Sequence, residues 1–248
     1  HAQPLPGIRL DMRFAAREVH AQRPGLRPAR TQRRRAALAA ALQCIREAMA
    51  KSAGEEEALF ILRIKERQTE EAITACLGLE LTATAQPAGV PEPTGPFAAF
   101  AAPPSMAAPV PGQTFEVRAR LANRGRRAVA PAEVTLETST GWTASASGAA
   151  GIAESIAPHA LLARRFTVAV AANAPISTKP YFRRAGLQES RYTLDDQANF
   201  GRAASAPPVV AVARYVVEGS PVTVREVVKR REAKLPYGDV LREVRSVP

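Results

Sequence analysis

Histidine, cysteine and aromatic side chains are scarce in this sequence: three His, two Cys, and 5% Phe, Trp and Tyr together. Two thiols, Cys44 and Cys76, cannot complete a tetrahedral zinc site by themselves. They read as unpaired core thiols, with a bridge between neighbouring helices as the alternative. His1, His20 and His159 fall in no HxxH, HxxxH or HxE arrangement, and His159 follows Pro158 at a turn. GxSxG, P-loop and GxGxxG motifs are missing, which removes common hydrolase and nucleotide signatures. No apolar run reaches about 18 residues, so no membrane-spanning helix is expected. No charged segment leads into an apolar one near the start, so no secretory signal is visible. The first residue is His1 and not Met, which raises the expectation of a piece of something longer. With so few aromatics, Ala and Val must supply much of any core, and Ala buries little surface per residue.

The net charge of +11 is uneven. Residues 1–35 carry nine Arg against two acidic residues, and residues 225–248 carry seven basic against four acidic. That leaves eighteen basic against seventeen acidic in 36–224, a neutral body with basic ends. A phosphate-binding face would gather its cations on folded structure among aromatic or polar base readers. Here the N-terminal arginines are scattered among Pro and Ala, so nucleic acid is not the expected partner.

What is present is periodicity. In Gln113–Asn123, Phe115, Val117, Ala119 and Leu121 alternate with Glu116, Arg118 and Arg120, a strand with one buried face. Asn123-Arg124-Gly125 supplies turn residues that tolerate positive φ. Val134 and Leu136 then alternate with Glu133, Thr135 and Glu137, and the two strands are expected to pair. Phe166, Val168 and Val170 mark another half-buried strand. Pro208–Val217 and Val222–Val228 are strong β runs joined by the hairpin turn Glu218-Gly219-Ser220-Pro221. Upstream the period changes. Leu38, Leu42, Ile45 and Met49 lie on one stripe of a helix expected over Thr31–Lys51, with Thr31 as cap. A second helix is expected over Ala53–Leu77, with Ser52 and Glu55 at capping-box spacing and Gly78 as the stop. Leu79–Ala83 alternates as one short strand. Such a hairpin cannot bury its own stripe and must lean on something.

Pro87–Pro111 holds eight Pro and seven Ala in 25 residues. Pro at that density favours extended, semi-stiff chain, and Phe97, Phe100 and Met106 are the residues able to tack it down. The expected fold class is therefore α+β: a helical hairpin with a short strand, a Pro/Ala linker, then an all-β immunoglobulin-like sandwich. The boundaries are 1–86 for the helical part, 87–111 for the linker and 112–228 for the sandwich. Residues 229–248 read as a tail or the start of a further domain.

No side-chain set reads as catalytic or metal-binding. Asp195-Asp196 has no neighbouring His or Cys and reads as a solvated turn. Lys179–Gly201 is a long irregular stretch carrying Tyr181, Phe182, Tyr192 and Phe200, and long loops commonly carry function. Tyr181, Phe182, Arg183, Tyr192 and Trp142 are the candidate glycan contacts, since aromatic faces on loops can take sugar rings. The competing readings are a core plug for Trp142, packing for the loop aromatics, and a solvated Arg183-Arg184 pair.

Several segments resemble one family in order. AGEEEALFILRIKERQTEEAITACLGLEL resembles the last helix of the LmbE-like (PIG-L) de-N-acetylase domain in long bacterial members. PLPGIRLDMRFAA resembles the short gly-ile-asp-thr-arg segment ahead of those helices. VPGQTFEVRARLANRGRRAV is similar to the first strands of the immunoglobulin-like sandwich that follows, related to an accessory domain of some α-galactosidases. STKPYFRRAGLQESRYTL matches a loop of the same proteins, and LPYGDVLREVRSVP looks like the lead-in to a further domain. The resemblance implies zinc-dependent removal of acetyl from an amino sugar, by a His-Pro-Asp-Asp-type motif that this sequence lacks. It therefore implies a non-catalytic C-terminal portion, inactive alone and without zinc of its own. Its partner would be an upstream deacetylase domain, its possible ligand a glycan, and its setting outside the cytoplasm. The alternatives are a free-standing carbohydrate or cell-surface binding module, or a spacer without ligand.

Overall fold

The computed structural model describes residues 28–91, 104–147, 154–234, 236 and 238–248. Two helices, α1 (Pro28–Lys51) and α2 (Glu56–Leu77), precede an otherwise β chain. Pro28 opens α1, where its missing N–H costs nothing, so the helix begins ahead of Thr31, which lies inside it rather than capping it. The capping box at Ser52 and Glu55 does not form. Glu55 is itself the N-cap residue, without a side-chain cap, and its N–H turns back to the Ser52 carbonyl at 3.0 Å. Gly78 ends α2 in the left-handed region at φ 72°, ψ 29°, as its lack of a Cβ permits. Neither thiol is a core residue: Cys44 is exposed, Cys76 is half-buried, and the two form no disulfide.

The strands form two main sheets. The larger has six strands in the order β12 (Asp239–Glu243), β11 (Lys229–Ala233), β1 (Leu79–Pro87), β2 (Thr114–Asn123), β6 (Leu161–Val170) and β4 (Trp142–Ser147). The smaller runs β10 (Ser220–Val227), β9 (Val209–Val217), β3 (Val129–Thr138) and β5 (Glu154–Ile156). One core cluster takes side chains from both, among them Phe115, Val117 and Leu121 from the larger sheet and Val134, Ala213 and Tyr215 from the smaller. The alternation in β2 is realised in full: Phe115, Val117, Ala119 and Leu121 are completely buried.

Three expectations change. First, β2 and β3 do not pair; they lie in opposite sheets, because a period of two decides which face is buried but not which strand is next door. Second, Gly125 does not adopt positive φ. It provides room instead: a Cβ there would lie 2.0 Å from the Leu77 carbonyl oxygen. The side chain of Asn123, the residue two before it, ties the same corner, with Nδ2 2.7 Å from the Arg127 carbonyl and 3.0 Å from that of Ile156. Third, neither the helical part nor the tail stands apart. β1 pairs antiparallel with β2 from Leu79↔Asn123 to Pro87↔Phe115, and parallel with β11 through Thr84↔Lys229. Boundaries at 86 and 228 therefore cut through one hydrogen-bonded sheet. Of the residues able to tack the linker, Met106 is buried and its N–H donates to the Arg231 carbonyl at 2.9 Å, while Phe97 and Phe100 lie outside the described residues.

The helical hairpin leans on the sandwich, covering its β10 edge. The Glu70 carboxylate accepts the Thr223 N–H at 3.0 Å, and Arg46 donates to the Pro221 carbonyl at 2.8 Å while holding Glu70 and Glu66. Outward-facing backbone groups of an edge strand are thereby satisfied, which removes a pairing hazard. Deeper in, the Thr74 and Tyr215 hydroxyls meet at 2.6 Å, and burial pushes the Tyr215 phenol well above its ordinary range.

Burial also raises the Glu70 carboxyl, partly offset by the Thr223 N–H. The folded chain thus holds this proton more tightly than the unfolded chain. The contribution is fully present below the ordinary value of 4.5 and is lost as pH rises through the raised one. We expect the melting temperature of Glu70→Gln minus that of the parent to increase as pH is raised from 4 to 7. A flat difference profile would refute this assignment.

Candidate functional site

The strand β6 leads into a tight corner at Ala171–Ala174, packed under Gly141 and Trp142. Gly141 sits at φ 80°, and a Cβ on it would meet Ala174 at 2.9 Å, so only glycine fits the approach. Trp142 is buried at 4% exposure, with its ring edge-on to Phe115 at 6.1 Å. It is a core plug whose margin reaches a cleft, as the large aromatic of a small sandwich commonly is.

The other four candidates come together. Phe182–Arg183 (β7) and Thr193–Leu194 (β8) form a short antiparallel hairpin, with Phe182 opposite Leu194 and Arg183 opposite Thr193. On it the Tyr181, Phe182 and Tyr192 rings make a run of edge-to-face contacts, 5.2 Å between each successive pair. Phe182 is 38% and Tyr192 59% exposed, and the Arg184 guanidinium lies 5.3 Å from the Tyr192 ring centre. The run is held together as packed aromatics are, yet remains open to solvent. Arg183 is not simply solvated: its Nε donates to Asp195 at 2.7 Å across the hairpin. The phenol of Tyr181 donates to the Arg202 carbonyl at 2.5 Å.

Beside this run is a cleft of about 830 Å³, lined among others by Thr138, Trp142, Lys179, Tyr181, Asn199 and Arg202. Its volume is in the range of a small-ligand site. Asp195 and Asp196 also line it, but neither is idle: Arg183 holds the first, and the Asn199 side chain donates to the second at 2.7 Å.

Sequence reasoning missed what fixes the walls. Arg245, in the stretch read as a tail, donates to the Ser177 carbonyl at 3.3 Å and the Ser205 carbonyl at 3.0 Å, and both serines line the cleft. Ser246 is fully buried and exchanges bonds with Ser177, accepting its N–H at 2.9 Å and donating its own N–H to the Ser177 hydroxyl at 2.6 Å. No local signal in RSVP announces this, since the partners lie 40 to 69 residues away.

Among the described residues no three His, Cys, Asp or Glu side chains form a group able to hold a metal ion. His1 and His20 lie outside the described residues. No helix of the described residues is long and apolar enough to cross a membrane.

Comparison with known proteins places one part of the chain. Residues 110–185, which run from the approach to β2 through the aromatic strand β7, match the family described as NPCBM-associated, NEW3 domain of alpha-galactosidase. This supports a β-sandwich accessory module and gives no support to an LmbE-like deacetylase. The chain is also similar to a solved FixG-related protein from Vibrio parahaemolyticus, over 60% of this chain and 94% of that one, at 4% identity and a TM-score of 0.26. Similarity at that level has no bearing on function. No curated protein matches the chain.

Proposed function

We propose that this chain is a carbohydrate-associated accessory module, in which an immunoglobulin-like sandwich presents the Tyr181–Phe182–Tyr192 run to a saccharide. The observation that carries the reading is that the run is exposed and that Tyr181 and Phe182 lie at the end of the segment matching an α-galactosidase accessory domain, with Tyr192 packed on Phe182 from just beyond it. The physical basis is ordinary: a pyranose ring has a face rich in C–H groups, and laying it on an aromatic ring removes apolar area from water. Arg184, against the Tyr192 ring, and the cleft amides supply hydrogen bonds that fix orientation. On this reading Trp142 holds the cleft floor and does not stack on sugar. Chemistry on the glycan belongs to a catalytic domain joined to the module. An upstream deacetylase, zinc included, is one such domain, but no observation favours it over another glycan-active enzyme.

The test is binding of the full chain to a panel of plant and bacterial oligosaccharides by calorimetry. Tyr192→Ala and Phe182→Ala are expected to weaken binding about ten-fold each, on the scale of losing one stacked aromatic contact of 0.5–1.5 kcal/mol plus its buried area. The melting temperature should move little, because both rings are solvent-facing. Unchanged affinity in both variants, or no saccharide bound, would defeat the proposal.

A further inference from the structure

We infer that the cleft beside the aromatic run selects acidic saccharides, with Lys179 and Arg202 as the groups that receive the sugar's anion. The inference rests on the glycan reading above and adds the chemical class of ligand. Four charged residues line the cleft: Lys179, Arg202, Asp195 and Asp196. The two carboxylates are occupied from within, Asp195 by the Arg183 guanidinium at 2.7 Å and Asp196 by the Asn199 amide at 2.7 Å. Among the described residues, the Lys179 ammonium and the Arg202 guanidinium have no hydrogen-bond or ion-pair partner.

Their placement ties them to the stacking surface. Lys179 precedes Tyr181 by two residues, and the Arg202 carbonyl accepts the Tyr181 hydroxyl at 2.5 Å. Both cations are exposed, so they cost little to keep without a partner. With Arg183 counted, three cations face two carboxylates, leaving a local positive balance. A uronate carboxylate or a sulfate ester on a pyranose suits that balance. The ring would stack on the aromatic run while its anion meets Lys179 and Arg202, with charge-assisted bonds stronger than those to neutral hydroxyls. A neutral sugar would leave both cations unused.

The test uses the full chain and four probes: hexagalacturonate, its fully methyl-esterified neutral form, a sulfated galactan hexamer, and a single-stranded DNA of equal charge. We expect hexagalacturonate or the sulfated hexamer to bind at least about ten-fold more tightly than the neutral ester in 50 mM salt, with the advantage shrinking in 500 mM salt. Whichever anion wins identifies the group. The Lys179→Gln/Arg202→Gln double variant is expected to lose that advantage while keeping its affinity for the neutral ester. Equal binding of charged and neutral forms, or a double variant that still prefers the charged one, would overturn the inference and leave the glycan reading standing. Binding of no saccharide would overturn both. Tighter binding of the DNA than of either charged saccharide would overturn the inference in favour of a phosphate-backbone surface.

Discussion

Expressed alone, residues 112–228 are expected to fail to fold, whereas the full chain melts cooperatively. The reason lies in what that span leaves behind. It severs the nine-residue ladder between β1 and β2, so the strand with the most regular alternation in the chain acquires a bare edge. Eight residues of the central core cluster fall outside 112–228, among them Leu42, Ile73, Leu79 and Leu81. Burying each of these four is worth about 1.5–3 kcal/mol, so their loss removes roughly 6–12 kcal/mol from a total that is typically 5–15 kcal/mol. The cut also removes Arg245 and Ser246, which hold the cleft walls. Trp142, the only tryptophan, is buried and reports the outcome directly. Its emission should be blue-shifted in the full chain and red-shifted in the fragment, and the fragment's urea titration should show no cooperative step. A cooperative transition with buried Trp142 in the fragment would mean that β1 and β11 are additions to an independent sandwich. A glycan-binding experiment on that fragment would therefore fail for a reason unrelated to sugar recognition.

Local chemistry was readable wherever it acts locally. The Glu218-Gly219 turn is a two-residue loop with φ of 48° and 79°, the geometry a tight hairpin demands, and Val217 duly faces Ser220. Gly78 stops its helix for the same kind of reason. The clustering of Tyr181, Phe182 and Tyr192 was readable because they crowd one stretch of 12 residues. Neighbourhoods across the chain were not. Leu79–Pro87 has the pattern of a strand, but nothing in it states that its partner lies beyond a Pro/Ala segment or that residue 229 returns to its other side. The Arg183–Asp195 pair depends on hairpin register, which a polar loop specifies weakly. Gly125 was assigned a role in backbone torsion because turns commonly need one, while its use is to let a helix end come close.

That close approach makes Gly125→Ala the point substitution with the largest expected effect. The added Cβ would lie 2.0 Å from the Leu77 oxygen and 3.2 Å from the Leu77 carbonyl carbon. Backbone must move, since no flexible side chain can yield. It is poorly able to: the Gly78 N–H is bound to the Ala75 carbonyl, and the Arg124 N–H to the Gly78 carbonyl at 2.8 Å. The Asn123 side chain pins the same corner, its Oδ1 accepting the Gly125 N–H at 3.0 Å. Because Gly125 is not at positive φ, no torsional strain is added and the loss is one of overpacking. We expect about 3 kcal/mol, near the upper end for an overpacked site, which lowers the melting temperature by roughly 6–12 °C in a chain of this size. Gly186→Ala is the matched control: its Cβ meets nothing within 4 Å, and the change should stay within about 0.5 kcal/mol. Equal stability of the two variants would show that the helix end is free to shift. Below its melting temperature Gly125→Ala should still bind saccharide as the parent does, because the aromatic run is built by the 181–194 hairpin and the cleft walls are clamped from Arg245 and Ser246. Retained binding would assign the helical hairpin to supporting the sheet, whereas binding lost in the folded variant would make the hairpin part of how the cleft is shaped.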